Sequence, residues 1–184
     1  MNDVPHQETV DSEIIDRARK VRVLILDIDG VLTDGRIVYS PYGEELKFFD
    51  VQDGLGIVLL RRAGIESVIV TARRSRIVKS RCKDLAIRYL YYGYPNKLIP
   101  FKKIVKRFRV MPEEVCFVGD DLIDLPILNR VGLAVTVPNA AEDVRAHAHY
   151  VTARPGGRGA VREICDIIMK SQNKWNLVTS LFFK

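Results

Sequence analysis

Two aspartates follow directly on an apolar run near the start of the chain. Residues 21–26 have the composition of a buried strand, and Asp27 and Asp29 come immediately after it. In an open α/β sheet the carboxyl ends of the strands form the binding crevice. Two ionised carboxylates placed there would repel each other, which favours a hard cation between them. The pair therefore predicts a metal-assisted site, and the alternative is that these aspartates merely end a strand.

Apolar, β-branched runs alternate with helical patterns along the chain. We expect strands at residues 21–26, 67–71, 88–92, 115–118, 133–137 and 150–152. We expect helices near residues 8–20, 54–63, 75–85, 97–108, 123–129, 141–146 and 160–172. This alternation predicts a three-layer α/β fold, in which a mostly parallel sheet carries helices on both faces.

One stretch interrupts this alternation. Residues 36–40, a turn at 41–44 and residues 46–50 predict a β-hairpin between the first strand and its helix. The hairpin is rich in aromatic side chains, and an exposed aromatic edge is an association hazard in a monomer. We therefore expect the hairpin to lie at an interface between subunits. The alternative is a hairpin that folds onto its own domain.

Length and composition predict one ordinary globular domain. The chain has 184 residues, of which 47% are hydrophobic. Its apolar runs are too short to cross a bilayer and its first residues are polar and acidic, so we expect a cytoplasmic protein without a membrane segment. We interpret Cys82, Cys116 and Cys165 as buried thiols, because they are odd in number and lack metal-ligand spacing.

The basic charge is a weak argument for nucleic-acid binding. The formal net charge is +6, and the densest basic patch spans residues 73–83 without interleaved aromatic side chains. A second basic cluster, at residues 102–109, has the spacing of a solvated helix face. We expect these charges to steer a small anion instead of binding nucleic acid. His147 and His149 have no third ligand nearby in sequence and are interpreted as surface or strand-edge residues.

Four motifs occur in the order found in the haloacid dehalogenase superfamily of phosphotransferases. They are Asp27-Ile28-Asp29-Gly30-Val31-Leu32, which fits the motif DxDGV(L/T), then Thr71 after an apolar strand, Lys97 opening a helix, and Gly119-Asp120-Asp121 with Asp124. The chain resembles this superfamily over residues 21–168. Three stretches, at residues 29–35, 119–124 and 156–163, further resemble the 3-deoxy-D-manno-octulosonate 8-phosphate phosphatases. These belong to the capless group, which form tetramers whose subunits cover one another's active sites.

The resemblance implies roles for the motif residues. Asp27 would be the nucleophile that forms an aspartyl-phosphate, and Asp29 would be the general acid and then the base. Mg²⁺ would be held by Asp27, Asp120 and the backbone carbonyl of Asp29. Thr71 and Lys97 would grip the transferring phosphoryl group. Asp121 and Asp124 would be weaker ligands or would support the ligands.

Taken alone, Thr71 and Lys97 have ordinary alternatives, since a threonine often ends a strand and a lysine that opens a helix is often solvated.

Three arginines are candidates for binding the carboxylate of a sugar acid: Arg73, Arg81 and Arg158. Arg158 would act from a neighbouring subunit, although its Gly-Gly-Arg-Gly segment also fits the start of a helix. Ala72 stands where the resembled phosphatases have glycine. If that glycine uses positive φ, Ala72 is strained, and otherwise the torsion is ordinary or the loop differs locally.

We expect a magnesium-dependent phosphatase that acts on 3-deoxy-D-manno-octulosonate 8-phosphate in lipopolysaccharide precursor synthesis. A phosphatase for a nonulosonate 9-phosphate and a non-catalytic binding module of the same fold are the alternatives. A nucleic-acid phosphatase is disfavoured, because the closed sites of a tetramer would exclude a duplex. We divide the chain into an N-terminal extension at residues 1–20, a phosphatase domain at 21–172 and a C-terminal tail at 173–184.

Overall fold

The computed structural model describes residues 10–42 and 45–183. Six parallel strands form the main sheet in the order β5-β4-β1-β6-β7-β8, and two antiparallel strands form a separate ribbon. The strands are β1 (Val23–Leu26), β2 (Val38–Tyr39), β3 (Glu45–Leu46), β4 (Glu66–Thr71), β5 (Tyr89–Tyr92), β6 (Val115–Val118), β7 (Leu133–Thr136) and β8 (Tyr150–Val151). The predicted parallel α/β fold is confirmed, and every predicted sheet strand is present with ends shifted by at most two residues.

Helices connect the strands and cover both faces of the sheet. They are α1 (Ser12–Arg19), α2 (Val51–Arg62), α3 (Arg76–Asp84), α4 (Leu98–Phe108), α5 (Leu125–Leu128), α6 (Glu142–Ala146), α7 (Ala160–Ser171) and α8 (Trp175–Thr179). Short 3₁₀ turns lie at Pro112–Glu114, Leu122–Asp124 and Ser180–Phe182. No helix in the described ranges combines the length and apolar character needed to span a bilayer.

The central strand β1 shows why the sheet needs two helical layers. All four of its residues are buried, and they alternate between two hydrophobic clusters. Leu24 and Leu26 face the cluster that includes residues of α1, α2 and α7, whereas Val23 and Ile25 face the cluster that includes residues of α4 and α5. Successive side chains of a strand point to opposite faces, so a strand that is apolar throughout must be covered on both.

The predicted hairpin is present and shorter than expected. Strands β2 and β3 pair through Val38 with Leu46 and Tyr39 with Glu45. Part of its predicted turn, Gly43 and Glu44, lies outside the described residues. This small ribbon occupies the interval between β1 and α2.

Several helices differ from the sequence-based expectation. Helix α1 begins at Ser12 instead of near residue 8, and α5 begins at Leu125, after a 3₁₀ turn, instead of near residue 123. Helix α2 begins at Val51 instead of residue 54, because the Asp50 carboxylate accepts a hydrogen bond from the backbone N–H of Gln52 at 2.6 Å and caps the helix. The predicted tail contains the unpredicted helix α8, whose Val178 packs in the main core. Ile14 of α1 joins the same core, so both ends of the described chain contact the predicted domain.

Candidate active site

The carboxyl ends of three neighbouring strands bring the predicted site residues to one edge of the sheet. Asp27 follows β1, Thr71 ends β4 and Asp120 follows β6 by two residues. The backbone N–H of Asp27 donates to the carbonyl of Val118 at 3.1 Å, which continues the β1–β6 ladder as far as the first aspartate. Asp27 and Thr71 are buried, at 5% and 3% exposure.

Lys97 reaches this edge from the start of α4. Its side chain is fully buried, and Nζ lies 2.9 Å from Oδ2 of Asp27 and 2.6 Å from Oδ1 of Asp124. Burial acts to lower the pKa of Lys97, but the charges of Asp27 and Asp124 outweigh it and raise the pKa above its ordinary value. Lys97 is therefore a buried ammonium ion beside the nucleophile candidate, and the alternative of a solvated lysine is wrong.

Three carboxylates beside Lys97 fit a metal ion. One oxygen from each of Asp27, Asp120 and Asp124 lies within 4.8 Å of the others. Oδ1 of Asp27 and Oδ1 of Asp120 are buried without a hydrogen-bond partner among the described residues. Buried polar atoms are almost always paired, so two orphaned carboxylate oxygens at one place indicate a cation ligand. Hard carboxylate oxygens are the donors that Mg²⁺ prefers.

The raised pKa values of these carboxylates support the same interpretation. Burial raises the pKa of Asp27 to about 7 against the opposing effect of Lys97. Burial, with the negative charges of Asp27 and Asp124, raises the pKa of Asp120 to about 8. A divalent cation removes this electrostatic cost, because it stabilises the ionised form of each ligand.

Asp124 holds the other members of the cluster in place. It is fully buried, its Oδ1 accepts from Lys97, and its Oδ2 accepts from the backbone N–H groups of Asp120 at 3.0 Å and Asp121 at 3.2 Å. The Asp121 side chain instead caps the 3₁₀ turn by accepting from the backbone N–H of Leu122 at 2.7 Å. These contacts give Asp124 a direct part in the cluster and place Asp121 at its exposed rim.

The loop after β1 is packed so tightly that it requires glycine. Gly30 has φ of +90°, and a Cβ at this position would lie 1.8 Å from Oδ2 of Asp120. The carbonyl of Gly30 accepts from Nδ2 of Asn139 at 3.1 Å, and Oδ1 of Asn139 accepts from the backbone N–H of Gly156 at 2.8 Å. Asn139 thus ties the aspartate loop to the glycine-rich segment before α7. Sequence analysis missed this contact, since a single asparagine in a loop carries no distinctive pattern.

Asp53 fixes the other end of the glycine-rich segment. This aspartate of α2 is 1% exposed, and it accepts from the backbone N–H groups of Gly159 at 3.3 Å and Arg162 at 2.7 Å. Burial raises the pKa of Asp53 to about 6. The carboxylate caps the amino end of α7, which holds the segment against the loop that carries Asp29 and Gly30.

Asp29 is paired with residues that come from outside the predicted motifs. Its Oδ1 accepts a hydrogen bond from Nζ of Lys47, and its Oδ2 lies 3.6 Å from Nε of Arg73. Both cations also contact Glu45, at 3.2 Å from Lys47 and 3.4 Å from Arg73. Tyr39 of β2 completes this group, since Nη2 of Arg73 donates to its hydroxyl at 3.3 Å.

The hairpin residues of this group were missed by sequence analysis. A signal for them exists: charged Glu45 and Lys47 alternate with apolar Leu46 and Phe48, which is the pattern of a strand with one charged face.

The three candidate substrate arginines lie in different surroundings. Arg73 reaches Asp29, whereas Arg81 donates from Nη2 to the carbonyl of Asp50 at 3.2 Å and stacks over the Phe49 ring at the base of the hairpin. Arg158 is exposed in the segment before α7. The non-glycine residues with positive φ in the described chain do not include Ala72, so this alanine adopts an ordinary torsion without strain.

The remaining cysteine and histidine expectations are confirmed. Cys82, Cys116 and Cys165 are buried, unpaired thiols. Nδ1 of His149 accepts from the backbone N–H of Ala134 at 2.9 Å, which places it at the edge of β7, and His147 contacts the carbonyl of Asp143 at 2.7 Å.

Comparison with known proteins identifies the family of this chain. A profile of the haloacid dehalogenase-like hydrolases matches residues 95–164. The 3-deoxy-D-manno-octulosonate 8-phosphate phosphatase of Escherichia coli K12 is 47% identical over 165 residues, which cover 90% of this chain and 88% of that protein.

Solved structures give the same result. The crystal structure of the phosphatase of this name from Yersinia pestis has a TM-score of 0.88 and 44% identity, covering 90% of this chain and 89% of that one. The Moraxella catarrhalis phosphatase, solved in complex with magnesium, phosphate and KDO, has a TM-score of 0.91 and 38% identity, with 94% and 99% coverage. This chain therefore belongs to the 3-deoxy-D-manno-octulosonate 8-phosphate phosphatase family of the haloacid dehalogenase-like hydrolases.

Proposed function

We propose that this protein is a magnesium-dependent phosphatase that hydrolyses 3-deoxy-D-manno-octulosonate 8-phosphate to 3-deoxy-D-manno-octulosonate and inorganic phosphate. The observation that carries the proposal is the pair of unpartnered buried carboxylate oxygens, on Asp27 and Asp120, beside the buried ammonium group of Lys97. Such a site combines a nucleophile, a cation-binding cluster and a fixed positive charge. Phosphoryl transfer requires little more than positioning and charge stabilisation of this kind.

Asp27 acts as the nucleophile. One of its oxygens attacks phosphorus in line with the departing sugar oxygen, so the new bond joins Asp27 to phosphorus while the bond from phosphorus to the sugar breaks. Asp29 gives a proton to the departing oxygen, which leaves as a hydroxyl. Asp29 then takes a proton from the water that attacks the aspartyl-phosphate, and phosphate leaves with Asp27 restored as a carboxylate.

Asp27, Asp120 and the backbone carbonyl of Asp29 would hold the magnesium ion. When bound, the ion neutralises phosphoryl charge and acts as a Lewis acid. Lys97 keeps its positive charge in a dry environment and stabilises the negative charge that gathers on the phosphoryl oxygens. The Thr71 hydroxyl lies at the same edge of the sheet and donates to one of those oxygens.

Arg73 is the best placed of the three arginines to bind the sugar acid, because its guanidinium already lies beside Asp29. A guanidinium pairs well with a planar carboxylate. Arg81 supports the base of the hairpin in this chain, and we retain it and the exposed Arg158 as further contacts, with Arg158 acting on the site of a neighbouring subunit.

We further propose that the protein forms a homotetramer through its hairpin. Tyr39 is 62% exposed, Phe48 is 70% exposed, and Val38, Tyr42 and Leu46 are also exposed on this small ribbon. Exposed apolar side chains on a short ribbon favour burial against another chain. We also propose a cytoplasmic location, which the three unpaired buried thiols support.

Phosphate release from a substrate panel tests the proposed activity. The panel contains 3-deoxy-D-manno-octulosonate 8-phosphate, a nonulosonate 9-phosphate, hexose phosphates and nucleotides, each measured with Mg²⁺ and with chelator. We expect the highest kcat/KM for the first substrate, with no turnover in chelator. A preference for the nonulosonate phosphate would reassign the substrate, and turnover that persists in chelator would refute the metal-assisted mechanism.

A further inference from the structure

The second half of the hairpin exposes its apolar side chains and buries its charged ones. Leu46 is 45% exposed and Phe48 is 70% exposed, whereas the side chain of Lys47 between them is fully buried. The Glu45 side chain, on the same face as Lys47, is 16% exposed. A strand that only protected the core would have the opposite orientation, with Leu46 and Phe48 inward.

Stabilisation of the hairpin therefore does not explain why the Lys47 side chain is buried. Removing an ammonium group from water costs free energy, and an ion pair recovers this cost only in part. The contacts of Lys47 indicate what the burial achieves. Nζ donates to Oδ1 of Asp29 and lies 3.2 Å from Oε1 of Glu45.

The two carboxylate oxygens of Asp29 have different partners. Oδ1 is held by Lys47, whereas Oδ2 lies 3.6 Å from Nε of Arg73, which is longer than a hydrogen bond. A carboxylate held through one oxygen has a fixed rotation and presents the other oxygen in a defined direction. Glu45 contacts both cations and keeps them on the hairpin side of the carboxylate.

We propose that Lys47 is a positioning residue that fixes the rotation of the Asp29 carboxylate, so that Oδ2 exchanges the proton with the sugar oxygen. The hairpin thus supplies, within the same chain, a component of the catalytic machinery as well as an outer apolar surface. This inference rests on the proposed role of Asp29 as general acid. It adds a residue to the site that the motif residues alone do not include.

The test compares the variants Lys47→Met, Asp29→Asn and the double variant on two substrates. Methionine keeps the length and apolar stem of lysine without its charge. A sugar-acid phosphate has a poor leaving group that depends on protonation, whereas 4-nitrophenyl phosphate has a good one. We expect K47M to lose about tenfold or more in kcat on the sugar-acid phosphate relative to the aryl phosphate, with Asp29→Asn showing the same bias more strongly. The double variant should be no slower than Asp29→Asn, since both changes disable one function.

The leaving-group bias, and not stability, separates this role from a structural one. K47M should unfold at a lower temperature than the wild type, because Asp29 and Glu45 lose one of the two cations that they share. A merely structural role would lower kcat equally on both substrates. Lys47→Arg keeps a positive charge and should show a smaller leaving-group bias than K47M. Lys106→Met, on the exposed face of α4, is the matched control and should behave as the wild type.

The possible failures are distinguishable. Equal losses on both substrates in Asp29→Asn would refute the acid role itself, and with it the basis of this inference. A biased Asp29→Asn combined with an unbiased K47M, or losses that multiply in the double variant, would overturn the role of Lys47 alone. A lower unfolding temperature in K47M with equal losses on both substrates would assign Lys47 to the fold and likewise overturn the proposal.

Discussion

Nζ of Lys97 lies 2.9 Å from Oδ2 of Asp27, and both side chains are buried. The same ammonium group contacts Asp124 at 2.6 Å, so one positive charge from α4 joins the carboxylates that follow β1 and β6. A buried charge without a partner of opposite sign lowers the stability of the folded state. Removing one partner leaves the others uncompensated, which couples the chemistry of this site to its stability.

Replacing Lys97 with methionine should damage both activity and fold. We expect a loss of about 10²-fold or more in kcat, because a preorganised charge on the phosphoryl group is removed. In chelator the variant should also lose about 3 kcal/mol of unfolding free energy, measured by urea titration. Lys102→Met, on the exposed face of the same helix, is the control. Wild-type turnover in the Lys97 variant would refute the proposed role of Lys97 in catalysis.

Asp27→Asn should abolish turnover, because an amide cannot attack phosphorus and form the acyl phosphate. Mass spectrometry of the wild-type enzyme quenched during turnover should show a phosphate adduct on Asp27 that the variant lacks. Asp16→Asn, at an exposed aspartate of α1 that pairs with Arg19, should change neither measurement. Near wild-type activity in the Asp27 variant would exclude the proposed nucleophile.

Gly30→Ala should prevent magnesium binding without replacing any of the ligands. The added Cβ would lie 1.8 Å from Oδ2 of Asp120, and the backbone torsion of +90° disfavours any side chain. We expect Mg²⁺ to raise the unfolding temperature of the wild type and to leave that of the variant unchanged. Gly64→Ala has the same torsional cost at a position where a Cβ meets nothing within 4 Å, so it controls for backbone strain. A metal-dependent shift in Gly30→Ala equal to that of the wild type would contradict the assignment of Asp120.

Asp53 predicts a pH dependence of stability. Its pKa rises from 3.8 to about 6 on folding because of burial, so the folded state binds this proton more tightly than the unfolded state does. The stabilising contribution is present below pH 3.8 and is lost as the pH rises through 6, a change on the order of 3 kcal/mol.

Asp53→Asn removes this titration. The variant also alters the cap of α7, which changes the unfolding free energy by an amount that does not depend on pH. Between pH 4 and pH 7 the stability of the variant should therefore improve relative to the wild type, as measured by urea unfolding at each pH. Asp84→Asn, at an exposed aspartate ending α3, should show no such trend. A difference between Asp53→Asn and wild type that stays constant with pH would show that Asp53 titrates normally.

The hairpin should determine both assembly and substrate preference. If the protein is the proposed tetramer, charged substitutions at Val38 and Phe48 together should yield smaller species in sedimentation experiments, because they place charge in an apolar interface. The smaller species should lose more efficiency toward the sugar-acid phosphate than toward an aryl phosphate, which needs fewer remote contacts. Met111→Lys, which is 64% exposed before β6, is the matched control. A fully active wild-type monomer would refute the role of assembly.

Local sequence patterns were sufficient to predict the sheet and the position of two aspartates at its edge. The apolar run of residues 21–26 predicted a buried strand, and Asp27 and Asp29 lie at its end as expected. Parallel strands place their carboxyl ends at one edge, so the meeting of Asp27, Thr71 and Asp120 follows from the order of strands and motifs. Lys97 was assigned through the family resemblance, since sequence alone left a solvated lysine as an alternative.

Contacts between distant segments were decided only by the tertiary structure. Lys47 contacts Asp29 because the ribbon folds back over the end of β1, and Asn139 joins Gly30 to Gly156 because β7 and the segment before α7 converge there. The alternation of charged and apolar residues in the hairpin indicated that one face is charged, but it did not indicate which residues this face contacts. Local periodicity reports which side of an element is polar, whereas its partner depends on the path of the whole chain, and for Lys47 that partner is the proposed acid.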